Sequence, residues 1–171
     1  RDLGGWRAIG DARWSVDEGC ILGQVGGGSQ SFLVSERSFA DFVLEVEVEN
    51  ERPGNSGIQV RSHQREDQRV FGYQVEIDPS ARAWSGGIYD EARRGWLDDL
   101  EGDEAARAAF RPGGWNHFRI ECRGPRIRTW VNGVACADLV DELDREGFIG
   151  LQVHSGRDTR VRWRNFVLRE L

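Results

Sequence analysis

Residues 42–49 read Phe-Val-Leu-Glu-Val-Glu-Val-Glu, so that apolar side chains alternate with side chains that are mostly acidic. Alternation with a period of two is typical of a β-strand with one face in a protein core and the other in solvent. Shorter alternating segments occur at residues 58–61, 73–78 and 151–154, and helical periodicity is nearly absent. The sequence therefore predicts an all-β protein.

The remaining strands follow from residue type and turn signals, and we predict them at residues 14–16, 20–24, 31–34, 87–89, 115–122, 127–131, 134–139 and 161–168. Asn132-Gly133 favours a tight hairpin because a type I′ turn needs positive φ at both residues. In the last strand the apolar residues shift from odd-numbered to even-numbered positions, which predicts a bulge near Arg164 and Asn165. About twelve short strands favour a two-sheet antiparallel sandwich, a jelly roll that forms one domain over residues 1–171.

Two segments do not read as strands. Residues 103–110 predict one short helix, with Asp103 as its N-cap. Residues 79–102 are rich in Gly, Arg and aromatic side chains and predict a long loop over one end or face of a sheet. Loops of this length in a compact domain tend to be functional.

Charge and composition exclude several function classes. All 23 basic side chains are arginines, so Schiff-base and P-loop lysines are excluded, and 29 acidic residues give a net charge of −6. An acidic chain is a poor nucleic-acid binder, and no apolar run is long enough for insertion into a membrane. A removed signal peptide remains open, and we expect a periplasmic or secreted protein.

Cys20, Cys122 and Cys136 have no metal-ligand spacing. Cys122 shares the parity of apolar residues in its strand, which favours a small buried hydrophobe. The alternative is a disulfide between Cys122 and Cys136 in neighbouring strands.

Six motifs occur in order along nearly the whole chain, namely Gly54-Asn-Ser-Gly-Ile58, Gly72-Tyr-Gln-Val-Glu-Ile-Asp78, Ser85-Gly-Gly-Ile-Tyr-Asp90, Trp115-Asn116, Val131-Asn-Gly133 and Gly150-Leu-Gln-Val-His154, followed by Arg164-Asn-Phe166. As a set they resemble the 3-keto-disaccharide hydrolase domain family, also called DUF1080. The resemblance implies a concanavalin A-like jelly roll and the cleavage of glycosides oxidised at the sugar C3. Jelly rolls host lectins and hydrolases alike, so the chemistry must be argued from the site.

The polar residues of three alternating segments define a candidate site. If their apolar neighbours point into the sandwich and the strands adjoin, the polar side chains share a concave outer face. Neutral sugars use such amides, carboxylates and guanidinium groups as hydrogen-bond partners. The alternative is a plain solvated face. The predicted face comprises Gln59, Arg61, Gln74, Glu76, Asp78, Gln152 and His154.

Glu76-Ile-Asp78 is similar to the first half of a catalytic strand in retaining endo-glucanases, but Pro79 and Ser80 follow where a second carboxylate is needed. A 3-keto sugar changes the requirement, because the ketone acidifies the C2 proton and permits elimination of the C1 substituent. We expect His154 or Glu76 to be the base, since imidazole titrates near neutrality. Arg61 would then steady the oxyanion and Tyr89 would donate to the leaving oxygen.

Aromatic side chains on the same surfaces are candidates for stacking on sugar rings. We expect Trp130, Trp84 and Trp96 to serve this role, whereas the core should contain Trp14, Trp115 and Trp163. Core or sheet-edge packing is the alternative for Trp130. We interpret His63, His117 and the pair Arg93-Arg94 as structural or surface groups.

No cofactor is predicted, although Glu76, Asp78 and His154 leave open a divalent cation that polarises the ketone. The leading hypothesis is thus a domain that cleaves 3-keto-glycosides, with a glycoside or oligosaccharide as its partner. The alternatives are a non-catalytic carbohydrate-binding module of a larger protein and a sandwich that mediates protein contacts.

Overall fold

A computed structural model describes residues 2–52, 54–156 and 158–171. Fourteen strands and one helix lie within them. The strands are β1 (Trp6–Ile9), β2 (Arg13–Asp17), β3 (Cys20–Gln24), β4 (Ser31–Phe39), β5 (Phe42–Arg52), β6 (Ser56–Gln64), β7 (Val70–Ile77), β8 (Ile88–Glu91), β9 (Gly95–Asp98), β10 (Asn116–Arg123), β11 (Arg126–Val131), β12 (Val134–Val140), β13 (Gly147–Val153) and β14 (Arg160–Glu170), and the helix is α1 (Glu104–Arg107).

The strands form two antiparallel sheets of seven strands each. The first sheet has the order β1-β4-β13-β6-β7-β8-β9, and the second has the order β12-β11-β10-β5-β14-β3-β2. The sheets pack face to face as a β-sandwich, which confirms the predicted all-β jelly-roll class with one short helix.

The core lies between the sheets and follows the alternation of the sequence. In β5 the side chains of Phe42, Leu44, Val46 and Val48 are at most 2% exposed, and they pack in one cluster with apolar residues of the first sheet. The residues between them face outward on the second sheet. Burial of such side chains stabilises a sandwich by roughly 1.5–3 kcal/mol each, so β5 is central to the fold.

Local geometry confirms the predicted turn and bulge. Asn132 and Gly133 have φ values of 50° and 83°, as a type I′ turn requires. In β14 the pairing register shifts between Arg164 and Val167, and Asn165 has a φ of 57°. Because of the bulge, Val161 and Trp163 before it and Phe166 after it all pack against the core.

Two predicted boundaries are wrong. The segment 79–102 contains β8, which corresponds to the predicted strand at residues 87–89, and also β9, which was not predicted; the two form a short hairpin that extends the first sheet. Strands of four residues are too short to show a clear period. The helix begins after its N-cap Asp103, whose carboxylate accepts from the Ala106 N–H at 2.9 Å, but it ends at Arg107 because Ala109 and Phe110 turn into the core.

The three cysteines are free, so the disulfide alternative is wrong. β11 lies between β10 and β12, which separates Cys122 from Cys136 by two strand spacings, roughly 10 Å, beyond the reach of a disulfide. Cys122 is fully buried, and this burial raises the pKa of its thiol to about 12. It is the small buried hydrophobe that the alternation in its strand predicts.

Among the helical residues the structure describes, none forms a segment long and apolar enough to cross a membrane.

Candidate functional site

A polar cleft of about 430 Å³ opens on the face of the first sheet that points away from the core. The predicted polar strands do adjoin, because β13, β6, β7 and β8 are consecutive neighbours in this sheet. The cleft is lined by Gln30, Asn55, Gln74, Glu76, Arg82, Tyr89, Glu91, Trp96 and His154. Five of these nine residues were predicted from the sequence, namely Gln74, Glu76, Tyr89, Trp96 and His154.

Glu76 lies at the floor of the cleft and is held by three donors. Asn55 Nδ2 donates to Oε1 at 2.5 Å, and Gln74 Nε2 donates to Oε2 at 2.9 Å. Arg82 Nη2 lies 3.4 Å from Oε1. A carboxylate has about four lone-pair positions. One position on Oε2 therefore remains to accept a ligand hydroxyl or to carry a proton.

A directional chain of hydrogen bonds orients the amide that reaches Glu76. Ser62 Oγ donates to Gln59 Oε1 at 2.6 Å, and Gln59 Nε2 donates to Gln74 Oε1 at 2.6 Å. Gln74 then donates to Glu76, so every dipole in the chain points toward the carboxylate. Such chains polarise one another, which stabilises the negative charge at the end of the chain.

Burial nevertheless dominates the titration of Glu76. Removal of the carboxylate from water raises its pKa, and the hydrogen bonds from Asn55 and Gln74 together with the charge of Arg82 offset this only in part. Glu76 thus combines a raised pKa with an open lone pair, as acid–base groups at functional sites often do.

Asp78 fixes the position of Arg82. Arg82 Nε donates to Asp78 Oδ2 at 2.7 Å, and the Ser80 N–H donates to Oδ1 at 3.1 Å. Burial raises the pKa of Asp78, but hydrogen bonds from Ser80 and Arg82 outweigh it, so the net shift is downward. Asp78 is therefore a stable anion that anchors a guanidinium at the edge of the cleft.

Aromatic side chains form one wall of the cleft. Tyr89 and Trp96 lie across the β8–β9 hairpin with ring centroids 5.3 Å apart, and Trp96 meets Trp84 edge to face at 4.8 Å. The Arg82 guanidinium carbon lies 4.9 Å from the Trp96 ring centre. This wall presents apolar ring surface beside charged and amide groups, a combination suited to a sugar ring.

His154 follows the end of β13 and is partly exposed in the cleft. Its Nδ1 lies 2.7 Å from the Ser155 carbonyl oxygen. A carbonyl only accepts, so Nδ1 carries the proton in this contact and the neutral ring keeps a lone pair on Nε2. His154 can therefore act as a base through Nε2.

Glu91 and Arg82 line the cleft but were not predicted. Glu91 ends β8 and has the same parity as Tyr89, so extending the predicted strand 87–89 by two residues would have placed it on the polar face. Arg82 lies in the irregular part of the segment 79–102, where no periodicity indicates the direction of a side chain.

Arg61 does not reach the cleft. The pairing of β6 with β7 shifts register between Val60 and His63, and Arg61 has a φ of 48°, which turns its side chain away from the polar face. The side chain is fully buried and donates to Ala40 O, Gly124 O and Asp41 Oδ1 at 2.7–2.8 Å. The arginine that lines the cleft is Arg82.

The other predicted residues lie below or away from the cleft. Gln59 is buried beneath it as part of the hydrogen-bond chain. Gln152 lies opposite Gly57 in the sheet and is fully buried, with its amide nitrogen and oxygen both unpartnered. Trp130 lies on the second sheet, packed 4.5 Å from the Arg119 guanidinium carbon, and so cannot contact a ligand in the cleft.

The remaining histidines and the arginine pair make structural contacts. His63 Nε2 lies 3.3 Å from Asp144 Oδ1, and His117 Nε2 lies 3.4 Å from Glu45 Oε2 on the second sheet. Arg93 and Arg94 both bind the buried Asp90, which confirms the interpretation of this pair as loop salt bridges.

The candidate cation ligands do not form a cation site. Within the described ranges, no group of three or more His, Cys, Asp or Glu side chains is arranged to hold a metal ion. The guanidinium of Arg82 bridges Glu76 and Asp78 and fills the place that a cation between these carboxylates would take.

The fold and the cleft define a jelly-roll domain with a polar, aromatic-walled site on one sheet. The chain belongs to the 3-keto-alpha-glucoside-1,2-lyase-like domain family, whose profile matches residues 1–169. No curated protein matches the sequence at a significant level.

Solved structures show the same fold at low identity. A carbohydrate-binding module, CBM66, from Bacillus subtilis is 19% identical, with a TM-score of 0.74 over 97% of this chain and 96% of that one. A candidate glycosyl hydrolase from Parabacteroides distasonis ATCC 8503 is 20% identical, with a TM-score of 0.68 over 97% of this chain and 99% of that one. A Bacillus subtilis protein of unknown function with a galectin-like fold is 12% identical, with a TM-score of 0.73 over 98% of this chain and 90% of that one.

Proposed function

We propose that this domain binds 3-keto-glycosides in the polar cleft and cleaves them by removal of the C2 proton and elimination of the C1 substituent. The observation that carries the proposal is the presence, in one cleft, of a histidine with a free ring nitrogen, an anchored arginine and two partly or largely buried glutamates. Membership of the 3-keto-alpha-glucoside-1,2-lyase-like family supports the choice of substrate.

The reaction needs one base at C2. His154 Nε2 takes the C2 proton, and the C–H electron pair forms the C2=C3 bond of an enolate whose charge rests on O3. Collapse of the enolate restores the C3 ketone, forms a C1=C2 bond and breaks the C1–O bond, whose electron pair leaves on the aglycone oxygen, and this oxygen takes up a proton. The products are the aglycone alcohol and an unsaturated keto sugar, to which water can add at C1.

Arg82 supplies the positive charge that the enolate requires. Its guanidinium is fixed by Asp78 rather than by substrate, so its orientation precedes binding. A preorganised cation at a developing oxyanion lowers the barrier, because no reorganisation is needed during the reaction. Glu76, with its one open lone pair, accepts a sugar hydroxyl and orients the ring against Tyr89 and Trp96.

The test is cleavage of 4-nitrophenyl 3-keto-α-glucoside, compared with the unoxidised 4-nitrophenyl α-glucoside. Only the keto sugar should release nitrophenolate, and deuterium at C2 should slow the release if proton removal limits the rate. An unsaturated sugar should accumulate before hydration. Equal cleavage of both substrates, or cleavage of neither, would contradict the proposal.

Gly57→Ala should lower kcat/KM by about 10², because small displacements of positioning groups have effects of this size. A Cβ at residue 57 would lie 2.4 Å from Gln74 Cδ and would push this amide away from Glu76. Steady-state kinetics on the keto substrate measure the effect. Gly102→Ala is the matched control, since a Cβ there meets nothing within 4 Å. Equal activity of the two variants would refute a role for the hydrogen-bond chain.

The second candidate function is a carbohydrate-binding module without catalysis. It is favoured by Glu76, whose two oxygens are fixed by Asn55 and Gln74 in the way that a rigid acceptor for sugar hydroxyls requires. In this case the cleft would bind glycosides and release no product. A carbohydrate partner and a periplasmic or secreted location are common to both proposals.

Trp96→Ala should weaken glycoside binding about tenfold under either function, since loss of one aromatic contact costs about 1.4 kcal/mol. Calorimetric titration with methyl α-glucoside and its 3-keto form measures the loss. Trp130→Ala is the control, because Trp130 lies on the other sheet. Weaker binding in the Trp130 variant but not in the Trp96 variant would place the sugar site on the second sheet.

A further inference from the structure

Glu91 is the cleft carboxylate that the mechanism above leaves without a role. It ends β8 on the same face as Tyr89 and lies opposite Gly72 of β7, which has no side chain to cover it. It lines the cleft together with His154, and it is partly buried. Glu91 can therefore contact a bound ligand from the aromatic side of the cleft.

The surroundings of Glu91 differ from those of Glu76. Its side-chain hydrogen-bond neighbour is Gln30, with a further backbone contact at Ala92, while the charges of His154 and Arg69 act on it. Burial is the largest influence and raises the pKa of Glu91. Glu76 by contrast accepts two amides and contacts an arginine, which favour its anion. Burial therefore favours the protonated form of both carboxyl groups.

We infer that Glu91 is the general acid that protonates the aglycone oxygen as the C1–O bond breaks. This inference rests on the proposed function and assigns the second proton transfer of the same site. The carboxylic proton of Glu91 moves to the leaving oxygen while the C1–O electron pair moves onto that oxygen, so the products are a neutral alcohol and the Glu91 carboxylate. Exchange with water then restores the acid.

Glu91 fits this role better than Tyr89. A carboxylic acid whose pKa burial raises is a stronger proton donor than a phenol. The Tyr89 ring is also part of the aromatic wall through its contact with Trp96. Tyr89 then binds the sugar ring, and the general acid is Glu91, which lies two residues further along β8.

The experiment compares two leaving groups in the variant Glu91→Gln. Methyl 3-keto-α-glucoside releases a poor leaving group that needs protonation, and its kcat/KM should fall by about 10²–10⁴. The 4-nitrophenyl substrate releases a stable anion, and its kcat/KM should fall less than about tenfold. Glu101→Gln, an exposed glutamate outside the cleft, is the matched control and should leave both rates unchanged.

The inference would be overturned if kcat/KM of the Glu91 variant fell equally for the two substrates, or did not fall for the methyl glycoside. Turnover by the wild type would still uphold the proposed function in that case. Failure of the wild type to cleave either keto substrate would remove both. The wild type gives an independent readout if the variant does not fold. Because an acid must be protonated, methyl glycoside cleavage should decline as pH rises through the pKa of Glu91, whereas nitrophenyl glycoside cleavage should not. Identical alkaline limbs would contradict the assignment.

Discussion

Replacing His154 with alanine should lower kcat for 3-keto-glucoside cleavage by about 10³, since a positioned general base contributes on the order of 10²–10⁴. The reason is the free Nε2 that remains once Nδ1 donates to the Ser155 carbonyl. No other neutral base of the cleft has an uncommitted nitrogen lone pair among the lining residues that the structure describes. Substrate affinity should change little, because the amides, Arg82 and the aromatic wall remain.

Single-turnover kinetics and equilibrium titration of the keto substrate separate the two effects. His117→Ala is the matched control, since His117 is a partly exposed histidine on the second sheet beside Glu45. The control should retain full activity. Activity that survives in the His154 variant but is lost in Glu76→Gln would move the role of base to Glu76, the alternative that the sequence leaves open.

The fold is predictable because its core strands carry regular alternation. In β5, each apolar residue of the alternating set is buried and the acidic residues face outward, so local sequence and tertiary packing agree. The same parity rule places Gln74 and Glu76 in the cleft correctly. β1 and β9 were not predicted, because a strand of four residues has only two side chains on each face, too few to show alternation.

The parts of the site that parity cannot predict depend on contacts between strands. The chain from Ser62 through Gln59 to Gln74 exists because Gln59 and Gln74 are direct partners across β6 and β7. Register of this kind is set by the whole sheet, and no single segment encodes it. Arg82 was missed for a related reason, because its direction is fixed by a salt bridge to Asp78 rather than by a strand.

Arg61 shows where the parity rule fails outright. The irregular pairing between Val60 and His63 gives Arg61 a positive φ, which reverses the face that its side chain would take in a regular strand. A bulge re-aims side chains in this way and leaves little trace in composition. The guanidinium consequently joins β6 to the β4–β5 and β10–β11 turns through Ala40, Asp41 and Gly124.

Arg61→Ala should therefore destabilise the fold and leave the chemistry of the cleft intact. The substitution removes a fully buried side chain and leaves the carbonyl oxygens of Ala40 and Gly124 without their donor, at about 1–3 kcal/mol for each, whereas Asp41, whose side chain is 39% exposed, can turn to water. For a domain of this size each kcal/mol corresponds to roughly 2–4 °C in Tm, so Tm should fall by about 10 °C.

Chemical denaturation gives the free energy of unfolding, and activity measured well below the new Tm tests the site separately. Arg37→Ala is the control, because Arg37 is 70% exposed in its pair with Glu170 and such surface pairs contribute about 0–1 kcal/mol. A stable Arg61 variant with lost activity would restore Arg61 to the reaction. A destabilised variant with normal kcat would confine the role of Arg61 to the fold and leave Arg82 as the arginine of the cleft.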